Sequence, residues 1–143
     1  MEIEQKFLVR CEHLPRPLPK GKKIEQGYLS IEPMVRIRTV SGSSAYLTVK
    51  GKGFRERAEY EYKIPVKDAR DLMKLCGART LSKIRRCIGP WELDEFTGRH
   101  KGLWLAECEL KSARSKLPSL PEWIGQEVTT DPKYANVNLA KVK

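Results

Sequence analysis

Glu2, Glu4 and Lys6 alternate along the opening stretch EIEQKFLV. Successive side chains of an extended chain point to opposite faces, so both carboxylates and the ammonium share one face. Like charges at that spacing repel, and a carboxylate pair of this kind suits a hard divalent cation that takes oxygen ligands. The same spacing returns with other signs further on. Arg36 and Arg38 share a face in MVRIRTV, as do Thr48 and Lys50 in AYLTVKG, and Lys83 and Arg85 in LSKIRRCI. Arg57, Glu59, Glu61 and Lys63 alternate in RAEYEYKI, Glu92 and Asp94 in WELDEF, and Glu107 and Glu109 in LWLAECELK. Guanidinium forks and compact ammonium charges match phosphate oxygens, and acidic doublets tolerate the same anion when a cation lies between.

These residues need strands to position them. Period-two alternation runs through residues 1–9, 24–30, 34–40, 45–51, 57–64, 81–88, 91–96 and 103–111, divided by turn signals such as SGSS, GKGF and TGRHKG. The opposite faces carry Ile3 and Phe7, Val35 and Ile37, Leu47 and Val49, Tyr60 and Tyr62, and Trp91 and Leu93. VKDARDLMKLCG at 66–77 switches to helical spacing, with Gly77 placed to stop it. The LPSLPEWIGQEVT tail reads as a Pro-broken loop and a short helix ending near KYANVNLA. The expected fold is mostly β within the α+β class. Seven or eight antiparallel strands in hairpin order suffice to close a barrel, with a few helices packed outside.

Any single strand of this kind is what a half-solvated sheet shows. The set differs because bases and acids segregate by strand, so closing the sheet gathers a cationic region facing a carboxylate cluster. The chain has 143 residues, 28 Lys plus Arg against 18 Asp plus Glu, and a net charge of +10. That is the length of one domain, 1–143, and the charge fits a polyanionic partner. No apolar run is long enough to span a membrane and the acidic start excludes a signal peptide, so a cytoplasmic protein is expected. Cys11, Cys76, Cys87 and Cys108 show no CxxC pairing and no zinc-like spacing with His13 or His100, so they are expected to be reduced thiols. Trp91, Trp104 and Trp123 are expected to be packing residues.

In order along the chain, EIEQKFLV (an ExExK pattern), QGYLS, VRIR, YLTVKG, EYEY, SKIRR, WELDEFTG, GLWLAECEL, WIGQEVT and YANVNLA resemble the CYTH group. This group is also called the triphosphate tunnel metalloenzymes, and the likeness is to its short single-domain form. The resemblance implies a closed eight-stranded antiparallel tunnel that hydrolyses inorganic triphosphate to pyrophosphate and phosphate with Mg²⁺ or Mn²⁺. It implies that Lys6, Arg36, Arg38, Lys50, Lys83 and Arg85 grip phosphates, and Arg57 is counted with them. Glu2, Glu4, Glu107 and Glu109 would hold metal, with Glu2 and Glu4 orienting the attacking water and Asp94 supporting the metal side. Glu59 and Glu61 would orient tunnel bases or help bind metal. Lys83 is either a phosphate clamp or, with its pKa lowered among other bases, a proton-transfer group.

Other activities sharing this fold are adenylyl cyclase and thiamine triphosphatase. A cyclase needs an adenine pocket, and no residues here stand out to build one. A non-catalytic binder of polyphosphate or nucleic acid is favoured only by the net charge, and the clustered glutamates argue against it. The expected partner is therefore a small triphosphate, with no membrane and no nucleic acid, in a monomer or homodimer.

Overall fold

The computed structural model describes residues 1–53, 55–112 and 114–141. Its strands are β1 (Glu2–Val9), β2 (Lys22–Ser30), β3 (Met34–Val40), β4 (Ser44–Lys50), β5 (Glu56–Arg57), β6 (Glu59–Ile64), β7 (Thr80–Ile88), β8 (Trp91–Thr97), β9 (Trp104–Glu109) and β10 (Ile124–Glu127). Helix α1 spans Val66–Leu75 and the short α2 spans Asn136–Leu139. The strands run in the order β10-β1-β9-β8-β7-β2-β3-β4-β6, all pairings being antiparallel. β5 sets Arg57 against Glu2 and Glu56 against Ile3, and so returns the strand path to β1. With β5 and β6 taken as one strand interrupted at Ala58, eight strands form the wall and β10 borders the rest of β1.

Two details depart from the sequence-based expectation. The order is not a simple succession of hairpins, because β1 pairs with β9 and β2 pairs with β7. The Pro-rich connection after β1 and the α1 crossover each carry the chain between consecutive strands that do not pair. In the tail, Ile124–Glu127 forms β10 rather than a helix, with Phe7 opposite Glu127 and Val9 opposite Ile124. Its backbone is satisfied by β1, a partner more than a hundred residues away that local spacing does not reveal.

Three apolar clusters hold the wall. Ile3, Phe7, Trp91, Leu93, Ala106, Cys108, Trp123 and Ile124 cover the outside of β1, β8 and β9. Trp91 stacks edge-on with Phe7 at 5.6 Å and with Trp123 at 6.1 Å between ring centroids. Helix α1, preceded by Pro65 and ended near Gly77 at φ +61°, seals β2–β4 through Ala69, Leu72, Met73 and Cys76. A Cβ on Gly27 would meet Met73 Sδ at 2.7 Å and Cys76 Sγ at 2.8 Å, so glycine there sets how closely α1 approaches β2. The third cluster, with Tyr28, Met34, Leu81, Phe96, Leu105, Val128 and Ala140, joins the strands to the C-terminal segment. Tyr60 and Tyr62 face outward from β6 and are exposed, unlike the covered apolar faces of β1 and β8.

The four cysteines are free thiols. No helix is long and apolar enough to cross a membrane, among the described residues.

Leu93 is fully buried and faces away from the charged interior. Leu93→Ala is expected to destabilise the fold by about 2–5 kcal/mol in urea titrations. A loss below about 1 kcal/mol would mean this cluster does not carry the wall.

Candidate active site

The inward faces of the strands enclose a cavity of about 210 Å³. β1 contributes Glu2, Glu4 and Lys6, β3 contributes Arg36 and Arg38, and β4 contributes Lys50. Arg57 of β5 and Glu59 and Glu61 of β6 complete that side, facing Lys83 and Arg85 of β7 and Glu107 and Glu109 of β9. Pleat and register bring these residues together, since each lies on the same face as its cross-strand neighbours.

Asp94, expected on the metal side, is not among the side chains that line the cavity. It is fully buried, with Oδ2 at 2.8 Å from Lys83 Nζ and Oδ1 at 2.7 Å from Arg85 Nε. A second guanidinium nitrogen, Arg85 Nη2, donates to Oδ2 at 2.9 Å. A carboxylate so engaged anchors two bases.

Most of the remaining charges neutralise one another. Lys50 Nζ lies 2.8 Å from Glu2 Oε1 and 3.3 Å from Glu59 Oε2, and Arg57 Nε donates to Glu2 at 3.1 Å. Burial raises the Glu2 pKa, but the Glu59 hydrogen bond, Lys50 and Arg57 overcome that and hold it at about 2. Glu92 and Glu107 stand directly opposite each other on β8 and β9, a repulsive arrangement. Arg85 spans it, with Nη1 3.1 Å from Glu92 and Nη2 3.7 Å from Glu107, while Lys6 lies 3.5 Å from Glu107. Burial opposes ionisation of Glu107, yet Lys6, Arg85 and Lys83 keep its pKa well below the usual carboxylate range.

Two pairs stand out among the cavity side chains left without an ion pair, one of each sign. Glu4 and Glu109 face each other across β1 and β9. Neither makes an ion pair among the described residues. Burial, reinforced by Glu107 and Glu2, pushes Glu4 up to about 8. The cavity's acidic side chains do not already converge as a ready ligand cluster, among the described residues. On β3, Arg36 and Arg38 likewise have no carboxylate partner among the described residues; Arg36 reaches Thr48 at 3.3 Å and Arg38 reaches Gln26 Oε1 at 3.4 Å. Arg36 Nε is a buried donor with no partner. Burial, Arg36 and Arg85 pull Arg38 down to about 10.

Lys83 is buried to 1% exposure, and burial lowers its pKa to about 7. Arg85 and Arg38 act in the same direction, against Asp94 and Glu107. Sequence spacing misses several residues here. Tyr28 and Asn136 line the cavity and Gln26 is buried among its bases, beside Glu92 and Thr48 from the alternating faces. Glu92 follows the strand alternation and was legible from it, whereas no local pattern singles out Asn136.

A β wall that turns its charges inward, with an uncompensated guanidinium pair and an uncompensated carboxylate pair in one cavity, defines a tunnel-type polyanion site served by a cation. The CYTH domain profile matches residues 1–138, and the chain belongs to the CYTH domain family. It is 41% identical to an inorganic triphosphatase of Acetivibrio thermocellus, covering 98% of this chain and 93% of that protein. It is 36% identical to an inorganic triphosphatase of Nitrosomonas europaea, covering 97% of this chain and 96% of the relative. A solved structure described as an inorganic triphosphatase superimposes with a TM-score of 0.67 at 29% identity, over 100% of this chain and 96% of that one.

Asp94→Asn is expected to destabilise the metal-free protein by about 3–5 kcal/mol, because it leaves buried Lys83 and Arg85 short of a counter-charge. Chemical denaturation measures this. Unchanged stability together with a lost response to divalent metal would return Asp94 to the metal side.

Proposed function

We propose that this protein hydrolyses inorganic triphosphate to pyrophosphate and phosphate with a divalent metal, Mg²⁺ or Mn²⁺. The observation that carries the proposal is the coexistence in one cavity of an Arg36–Arg38 pair and a Glu4–Glu109 pair that make no ion pairs among the described residues. A naked polyanion would find the second pair repulsive, and a metal alone would find the first repulsive. A phosphate chain carrying a hard cation satisfies both. The relatives' shared description as inorganic triphosphatases supports the same reaction.

The oxygen-only donor set fits such an ion. Glu4 and Glu109 are its first candidate ligands, with Glu2 and Glu107 on the same two strands beside them. When bound, the metal would offset charge on the phosphate oxygens and present a water for attack. Arg36 and Arg38 grip phosphate oxygens, and Lys6, Lys50, Arg57 and Arg85 add positive charge around the chain. Glu59, Glu2 and Glu107 hold those bases in place through the ion pairs already described. Glu61 accepts from Thr48 at 3.5 Å and so steadies the hydroxyl that Arg36 uses. Glu2 and Glu4 orient the water for in-line attack on the terminal phosphorus, and the bridging bond to pyrophosphate breaks. Lys83, near neutrality at the cavity wall, takes the proton that the water loses at Nζ.

The test is phosphate release from triphosphate, ATP and thiamine triphosphate in parallel, with Mg²⁺ or Mn²⁺. Triphosphate is expected to turn over fastest, with turnover rising as pH passes about 7 and Lys83 loses its proton. Glu4→Gln is expected to keep the fold and lose at least about 100-fold in turnover. Cyclic AMP formed from ATP, or an active Glu4→Gln protein, would overturn the assignment.

A further inference from the structure

The C-terminal segment enters the cavity and meets two of its lysines. Lys6 Nζ donates to the Tyr134 carbonyl at 3.0 Å, and Lys83 Nζ donates to Asn136 Oδ1 at 2.9 Å. Asn136 Oδ1 also accepts from Gln26 Nε2 at 3.4 Å, and Gln26 donates to the Tyr28 hydroxyl at 2.8 Å. The segment is held from outside the cavity. Arg99 Nη2 donates to the carbonyls of Ala140 at 2.7 Å and Thr80 at 2.9 Å, and His100 Nε2 pairs with the Leu139 carbonyl.

We propose that Asn136 is a positioning residue for Lys83, carried to the cavity by the C-terminal segment and kept there by the Arg99–His100 clamp on α2. An ammonium has three donors on a flexible stem. Asp94 and Asn136 engage two of them, which fixes Nζ and turns its third position, an N–H in the ammonium and the lone pair in the neutral amine, toward the cavity. The amide suits the place because it accepts a hydrogen bond without adding negative charge where a phosphate chain must lie. Aspartate would hold Lys83 equally well but repel the anion. The kinetic consequence rests on the triphosphatase reading, whereas the placement of Lys83 does not.

The experiment compares Asn136→Ala, Asn136→Asp and Arg99→Ala with the unaltered chain. Asn136→Ala is expected to lower kcat about tenfold or more, with KM within about threefold of the parent. Asn136→Asp is expected to preserve more of kcat and raise KM, a split that a merely structural role would not produce. Arg99 lies outside the cavity, so Arg99→Ala is expected to lower kcat modestly without changing KM, and it serves if Asn136→Ala fails to fold. A crystal structure of Asn136→Ala should show Lys83 Nζ displaced. Unchanged kcat in Asn136→Ala, or Lys83 Nζ unmoved, overturns the proposal. If the parent chain does not cleave triphosphate, the activity reading falls while the crystal structure still decides the positioning role.

Discussion

Like charges placed directly opposite each other on a sheet repel, and this wall contains two such carboxylate pairs. Arg85 relieves the pair formed by Glu92 and Glu107, reaching both carboxylates while also gripping Asp94. The pair formed by Glu4 and Glu109 has no base within ion-pair distance among the described residues. The contrast lies within one cavity and one strand, β9, so a generally acidic surface does not explain it. Burial, reinforced by Glu107 and Glu2, makes Glu4 a carboxyl that holds its proton far above the usual range. A divalent cation would do for this pair what Arg85 does for the other.

The fold allows a charged interior because most inward charges are matched to partners on nearby strands. Buried ions cost several kcal/mol when unpaired, so the wall is stable only while Lys50, Lys83, Arg57 and Arg85 keep their acids. Apolar packing is moved outward, under α1 and around Trp91 and Trp123, with a third cluster joining the C-terminal segment to the strands. Stability and function are therefore divided between the two faces of the same strands. Arg36 and Arg38 are the basic counterpart of Glu4 and Glu109, without ion pairs among the described residues on the face that lines the cavity.

Much of this was legible in the residues. Alternation at period two located the wall strands within a residue or two, because each has one charged and one apolar face. It also placed Glu2, Glu4, Lys6, Arg36, Arg38, Lys50, Lys83, Arg85, Glu107 and Glu109 in one cavity. What it missed depends on distant partners. Asp94 follows the same alternation as its neighbours, which gives no sign that Lys83 and Arg85 close on it. Ile124–Glu127 has too short a pattern to be seen as a strand without β1 beside it. Asn136 is unremarkable in KYANVNLA until the tail folds back more than fifty residues in sequence onto Lys83. Tyr60 and Tyr62 alternate like core residues but remain exposed on β6.

The most direct measurement follows thermal unfolding of the unaltered chain, Glu4→Gln and Glu109→Gln while Mn²⁺ is titrated in the absence of any phosphate. A ligand that binds only the folded state raises the melting temperature according to its affinity. The account predicts a metal-dependent rise for the unaltered chain that is lost or sharply reduced in both variants. An equal rise in all three proteins would contradict the claim that Glu4 and Glu109 form the cation site.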